Sequence, residues 1–258
     1  MTDGTDRPHA VLLAAGIGQR LTSHAGRPKV LLEFGGRSLL ARHIDNLVHC
    51  GISQLTIVTG YQSGQIEDAL ARLQPALEVS CIFNPDHTDG SVVSLWCVRP
   101  VLEGGRDVLL MDADVLYDPR LLAPLLTPAA GITALYDRDF APGDEPVKLC
   151  LHNGRPVEFS KTPDPAVVHD EVGESVGFFR IGAAAAAELA TRCKAYIDTG
   201  RHPAPHEDVL RDMLLEAAPG QARGIDVTGL PWTEIDFPGD VTRAEREILP
   251  RLQEPVVQ

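Results

Sequence analysis

The run Val11-Leu-Leu-Ala-Ala-Gly-Ile-Gly-Gln-Arg-Leu21, with Pro28-Lys29 one loop further on, constrains this chain more than any other stretch. Its first four residues are apolar and bounded by glycine, too short for a helix. They read as a strand buried on both faces, which belongs inside a parallel sheet. Gly16 and Gly18 remove side chains where a backbone turns sharply or comes close to a ligand. Amide N–H groups bared in that turn, with Arg20 and Lys29 beside them, make a cradle for a polyphosphate. Two other phosphate loops do not fit. Gly18 is followed by Gln19, Arg20 and Leu21 rather than a third spaced glycine, and no Gly-Lys-Ser/Thr comes after.

The pattern around this turn alternates. Ser38 is placed to cap a helix running to Cys50, with Leu40, Ile44, Leu47 and Val48 at helical spacing. A strand over 54–59, a helix over 63–73 and a strand over 78–83 follow with short links. This β-α-β-α-β order predicts an α/β fold: a doubly wound, mostly parallel sheet in a three-layer sandwich, with ligands beyond the carboxyl ends of its strands. The loop 84–91 leads into a helix over 92–99, with Ser91 as its cap and Pro100 ending or kinking it. A buried strand over 107–111 delivers Asp112-Ala-Asp114. Residues i and i+2 of an extended chain share a face, and paired carboxylates there suit Mg²⁺. Asp118-Pro119 supplies the cap of the next helix.

Strands over 132–136, 147–151 and 156–160, the last two joined by an Asn153-Gly154 hairpin, depart from the alternation. They point to a lid or acceptor region inserted over about 137–181. A strand over 175–181, an alanine-rich helix over 183–196 and a helix over 206–217 come next. In Pro231-Trp-Thr-Glu-Ile-Asp236, strand alternation puts Trp232, Glu234 and Asp236 on one face, with Ile235 behind. Asp240 is then read as the cap of a terminal helix ending at Pro250. With no repeat and no low-complexity linker, the 258 residues read as one domain.

Composition narrows the partners. The net charge of −13 argues against nucleic acid and anionic membranes, and it makes the few cations near glycine turns informative. No apolar run approaches a membrane span, and the polar, acidic start has no leader pattern, so a cytoplasmic protein is expected. Five scattered cysteines without a C-x-x-C read as buried thiols in a reducing compartment.

Leu13-Ala-Ala-Gly-Ile-Gly-Gln-Arg-Leu21 with Pro28-Lys29 resembles the signature loop of the nucleotidyltransferases that join an NTP to a phosphorylated small molecule. Asn84 with Ser94-Leu95-Trp96, and Trp232-Thr-Glu-Ile-Asp236 followed by Asp240 and Ala244, resemble the branch acting with CTP on phosphocholine, inositol phosphate and phosphonates. The adjacent asparagines of that branch's base loop are replaced here by Thr88-Asp-Gly-Ser91. The resemblance runs from Val11 to about Ala244, except over 137–146.

It implies transfer of CMP from CTP to a small phosphorylated or phosphonate acceptor, with release of pyrophosphate. By that resemblance Leu13, Ala14, Ala15, Gly16, Gly18 and Gln19 hold the nucleotide. Arg20 neutralises its β- and γ-phosphates, and Lys29 reaches the α-phosphate. Gly90, Ser94 and Asn84 stand at the base, although Ser94 fits equally as a helix residue bonding its own backbone. Asp114 and Asp236 hold Mg²⁺, with Asp112 a weaker or outer-shell ligand. Lys161 meets the acceptor phosphate, with Trp232, Glu234 and Lys148 nearby; Lys148 fits equally as a solvated edge-strand lysine. Trp96, Tyr117, Tyr136, Phe178 and Trp232 offer faces to a trimethylammonium, whereas Lys148, Lys161, Arg138 and Arg180 suit extra negative charge. The rival readings are a sugar-1-phosphate or molybdopterin nucleotidyltransferase using UTP, dTTP or GTP, and a D-x-D glycosyltransferase. A homodimer is possible.

Overall fold

The structure, a computed structural model, describes residues 7–18, 20–21, 26–128, 131–141 and 143–253. The apolar run forms β1 (His9–Ala14). A small hairpin of β2 (Glu33–Phe34) and β3 (Arg37–Ser38) precedes α1 (Leu39–His49), whose first turn is capped by Ser38 Oγ accepting the Ala41 N–H. Then come β4 (Gln54–Thr59), α2 (Ser63–Leu73), β5 (Glu78–Phe83), α3 (Ser91–Cys97), α4 (Arg99–Leu102), β6 (Val108–Asp112) and β7 (Val115–Tyr117). A 3-10 stretch, Pro119–Leu126, leads to β8 (Ile132–Asp137), β9 (Lys148–His152), β10 (Arg155–Ser160) and β11 (Glu171–Ile181). The chain closes with α5 (Ala183–Asp198), α6 (His206–Glu216), β12 (Ala222–Asp226), β13 (Trp232–Glu234) and α7 (Pro238–Arg243).

The four strands of the alternating part are parallel and lie in the order β6-β1-β4-β5, with β1 at the centre. Strand β11 then runs antiparallel to β6. Along the same edge β11 pairs with β9 over 171–174, its opposite edge pairs with β8, and β12 adds to β8. The sheet is therefore mixed, with a parallel core and an antiparallel extension, as the sequence pattern predicts.

Side-chain period explains the layers. Along β1, Ala10, Leu12 and Ala14 pack on one face with Ile44 and Leu47 of α1, while Val11 packs on the other with Val92 of α3 and Leu189 of α5. Strand β6 alternates likewise, Leu109 and Met111 on the first face, Val108 and Leu110 on the second. Each of the buried Val, Leu, Ile and Met side chains among these contributes about 1.5–3 kcal/mol, and the two cores together fix the direction in which β1 and β6 end.

Several local expectations are corrected. Val48 is 39% exposed, because it lies on the rim of the α1 stripe rather than in it. Ser91 does not cap α3; it lies inside that helix, and its Oγ accepts the backbone N–H that opens α6. Asp240 is not an N-cap but the third residue of α7, reaching back to accept the N–H groups of Asp236 and Phe237 at 2.9 and 2.7 Å. The continuous terminal helix breaks into α7, a π turn (Ala244–Ile248) and a 3-10 turn (Leu249–Arg251) that holds Pro250. Of the five cysteines, all free, only Cys150 and Cys193 are buried; Cys81 faces out from edge strand β5.

Candidate functional site

At the carboxyl ends of β1 and β6 opens a cleft of about 390 Å³, within the size range of nucleotide-sized pockets. Leu13, Ala14, Ala15, Gly16 and Gly18 line it from the first turn, with Arg20 and Lys29 beside them. Gly18 has φ +65°, and a Cβ there would press on the Lys29 stem at 3.0 Å, so the turn needs glycine to let that lysine through. Gln19 lies outside the described residues.

Lys29 is the centre of the cleft floor. Its ammonium donates to Asp114 Oδ2 at 2.8 Å and to Asp236 Oδ1. Burial alone would lower its pKa, but these two carboxylates overcome that and hold it well above the usual lysine range. Asp114 follows β6, and Asp236 follows β13, which pairs antiparallel with β7. Ile235 N–H donates to Asp114 O at 2.9 Å, so backbone bonding brings the distant motifs together. Asp114, Glu234 and Asp236 can each present one carboxylate oxygen within 4.8 Å of the others. That all-oxygen set fits a hard divalent cation, with Glu234 joining the two aspartates. The Glu234 carboxyl, set deep although its side chain reaches solvent, is raised by loss of water and then by Asp114, Asp236 and Asp112. Asp112 is raised by burial, then by Glu207 and Asp114.

The charge pattern continues outward. Arg20 reaches Glu145 Oε2 at 2.8 Å and Asp236 Oδ2 at 3.2 Å, and Lys161 Nζ reaches the same Glu145 oxygen at 3.3 Å. A second recess, of about 160 Å³, shares Glu145, Glu234 and Asp236 with the cleft. Beyond that common wall it is lined by Asp137, Asp139, Glu174, Asp240, Arg243, Trp232 and Phe237. Trp232 is buried, and its indole N–H donates to Asp137 Oδ2 at 2.8 Å.

Three residues expected at the site stand elsewhere. Asn84 is fully buried and does not line the cleft; its amide donates to Ser94 Oγ at 3.1 Å and so orients a residue that does. Gly90 packs against the backbone of Pro203 and Ala204, joining two loops behind the cleft wall. The Lys148 ammonium donates to the carbonyls of Gly143, Pro146 and Lys161, tying the Glu145 loop to the end of β10.

Sequence reasoning missed four residues. Gly177, in β11 at φ +77°, leaves room for Asp112, since a Cβ there would lie 2.2 Å from Asp112 Oδ2. Glu145 falls in the stretch that matched nothing. His206 and Glu207 open α6, and only the acidic first turn after Pro205 hinted at a helix start. His206 is 5% exposed, with Nδ1 3.0 Å from Ser91 Oγ and 3.1 Å from Glu207 Oε2, and Nε2 3.5 Å from Asp112 Oδ1.

Comparison with known proteins agrees with this geometry. The chain is 27% identical over 263 residues to the CMP-5'-(3-aminopropyl)phosphonate synthase of Streptomyces rubellomurinus, covering 96% of this chain and 40% of that protein. It is 29% identical over 252 residues to the bifunctional IPC transferase and DIPP synthase of Rubrobacter xylanophilus, covering 96% of this chain and 53% of that one. The chain thus spans about half the length, or less, of these relatives. In fold it is similar to the inositol-1-phosphate CTP transferase of T. maritima, with a TM-score of 0.75 at 22% identity over 98% of this chain and 99% of that one. Residues 10–169 match the model of the MobA-like NTP transferase domain, and on that match the chain belongs to the MobA-like NTP transferase family.

Proposed function

We propose that this protein transfers CMP from CTP to a small acceptor carrying a phosphate or phosphonate at one end and an ammonium group at the other, releasing pyrophosphate. The observation that carries the reading is Lys29 bridging Asp114 and Asp236 at the mouth of the first glycine turn. A triphosphate lies across that turn, its β- and γ-phosphates on the amides near Gly16 and Gly18 and on Arg20. Lys29 stays protonated and meets the α-phosphate, where negative charge grows in the transition state. The acceptor oxygen, already anionic, attacks the α-phosphorus in line; the new O–P bond forms as the bond to the β-phosphate oxygen breaks, and pyrophosphate leaves with that electron pair. The protein supplies alignment and charge neutralisation, and no general base is called for. Asp114 and Asp236, with Glu234, would hold Mg²⁺, which supplies Lewis-acid charge neutralisation on the phosphates when bound. Asp112 lies behind them as an outer carboxylate.

The second recess supports the acceptor assignment. Lys161 stands at the junction with the cleft, suited to the acceptor phosphate, and the walls beyond carry Asp137, Asp139, Glu174 and Asp240 against a single Arg243. An acid-lined recess beside an indole favours an ammonium, as in phosphocholine or an aminoalkylphosphonate, over the neutral hydroxyls of inositol phosphate or a sugar phosphate. The relative named for an aminopropylphosphonate product accords with this. The D-x-D glycosyltransferase reading is disfavoured by Arg20 and Lys29, which a diphosphate-sugar enzyme does not need. The whole chain serves as one catalytic unit, with 137–181 contributing the acceptor side. Among the described residues no helix is long and apolar enough to cross a membrane.

The test is a pyrophosphate-release screen crossing CTP, UTP, GTP and ATP with phosphocholine, 2-aminoethylphosphonate, inositol phosphate and glucose-1-phosphate, with and without Mg²⁺. The expected result is turnover with CTP and an ammonium-bearing acceptor, abolished by chelator. Preference for UTP with glucose-1-phosphate overturns the reading in favour of a sugar nucleotidyltransferase.

A further inference from the structure

We infer that Glu207, held by His206, reads the ribose of the bound nucleotide and makes the enzyme select ribonucleotides over deoxyribonucleotides. The inference rests on the nucleotide cleft proposed above and assigns its remaining polar wall. That wall is a chain of contacts from Ser91 through His206 to Asp112, with Glu207 branching from the imidazole. One end of the chain, Asp112, pairs with Leu13 of β1 and lies beside the carboxylates that flank Lys29. The other end, Ser91, is in the α3 turn that also supplies Ser94, and both serines line the cleft that Arg20 lines. With the triphosphate at the cations and the base near Ser94, the moiety between them is the sugar.

The chemistry of Glu207 agrees. An ionised carboxylate only accepts hydrogen bonds, and it repels phosphate oxygens. In this cleft it can therefore serve only a donor, and the ribose offers two adjacent hydroxyls. Both residues line the cleft, but the Glu207 side chain is 29% exposed and the His206 side chain only 7%, so Glu207 is the more open of the two to a ligand. Ser91 Oγ accepts the His206 backbone N–H at 2.7 Å and also lies against the ring, so the imidazole has one orientation to offer Glu207. Glu207 is thus a specificity-determining residue and His206 a positioning one.

The experiment is equilibrium binding of CTP, 2'-deoxy-CTP, 3'-deoxy-CTP and UTP, with Mg²⁺, to the wild-type protein and to Glu207→Gln, Glu207→Ala and His206→Asn, each checked by thermal melting. A hydrogen bond to a charged group carries roughly ten- to hundredfold in affinity, so wild type is expected to favour CTP over at least one deoxy analogue by that factor. Glu207→Ala brings the ratio to within about twofold, the isosteric Glu207→Gln and His206→Asn leave it in between, and the CTP-to-UTP ratio stays put. Equal binding of CTP and both deoxy analogues by wild type overturns the inference while leaving the nucleotide site in place. So does a Glu207→Ala protein that changes the CTP-to-UTP ratio alone, since Glu207 would then read the base amino group. If no nucleoside triphosphate binds at all, the proposed function falls and takes this inference with it; if UTP replaces CTP as the tight ligand, the same ribo-to-deoxy ratio measured with uridine nucleotides decides the matter.

Discussion

The two recesses share a wall of Glu145, Glu234 and Asp236 yet differ in how cations are set among their acids on either side of it. The cleft side has a glycine turn and the cations Arg20, Lys29 and Lys161 facing Asp112, Asp114 and Glu207; the outer side has carboxylates and an indole with Arg243. A molecule with −13 formal charge must concentrate positive charge wherever it binds a polyanion. It does so with few residues, each neutralised in turn by a neighbouring acid. On the proposed acceptor side the same background charge suits a cation. The difference teaches that one acidic surface can hold an anion and a cation side by side, provided the cations are confined to the reacting centre.

The largest effect is expected at that centre. Lys29→Ala should lower kcat by about 10²–10³, the loss typical of removing one charge-stabilising donor, while circular dichroism stays unchanged. Asp114→Ala or Asp236→Asn should lower turnover comparably and raise the Mg²⁺ concentration needed for half-maximal rate. Full turnover in any of the three would break the comparison, because the shared floor would then hold no chemistry.

Asp240 comes next. It lines the second recess, and its carboxylate accepts the N–H groups of Asp236 and Phe237 and thereby fixes where the Asp236 side chain starts. Asp240→Ala should cost about 1 kcal/mol of stability, as lost helix caps do, and about tenfold in kcat through a displaced Asp236. Loss of stability with unchanged kcat would reduce Asp240 to a capping residue.

What could be read from the chain follows the same division. The first turn was legible because its parts are local: strand, glycines and both cations fall within about twenty residues, and the strand among them follows the pattern of a buried strand. Asp112-Ala-Asp114 and Trp232-Thr-Glu-Ile-Asp236 were legible as strand ends, where alternation says which side chains share a face. His206 and Glu207 were not, since an imidazole at a helix start means nothing until α6 docks on α3. Asn84, Gly90 and Lys148 carry polar or small side chains at the expected positions, but tertiary packing uses them to hold Ser94, two loops and the Glu145 loop. The antiparallel extension was visible as a departure from alternation. The double pairing of β11 was not, because its partners β6, β8 and β9 lie far off in the chain and its register against β8 shifts between Ser175 and Phe179.

On the acceptor side the effects are smaller and fall on KM. Asp139→Asn should raise KM for phosphocholine or 2-aminoethylphosphonate by about two- to fivefold, the worth of a charge pair near solvent, with the KM for CTP unchanged. Inositol phosphate, having no ammonium, should be indifferent to the substitution. A parallel change for both acceptors would remove the ammonium from the proposal and leave the recess as a solvated acidic surface.

The remaining effect is a pH dependence with a fixed sign. Burial pushes the Glu174 carboxyl up to about 7; Arg243 pulls the other way, and Asp137 adds to the rise. The folded chain therefore holds this proton more tightly than the unfolded chain, whose value is 4.5. Between those values the native state binds more protons, so stability falls as pH rises through the window and stays lower above it. Glu174→Gln should match wild type near pH 4.5 and be more stable at pH 8 by about 1–3 kcal/mol, measured as urea midpoints at both pH values. Acceptor binding should run in the opposite direction. An ammonium favours the ionised carboxylate, so KM for phosphocholine, expressed relative to inositol phosphate to cancel titration of the acceptor phosphate, should rise as pH drops below about 7. Glu174→Gln should flatten that ratio. A ratio independent of pH in the wild-type enzyme would mean that the ammonium does not reach Glu174, and would confine the acceptor to the shared wall.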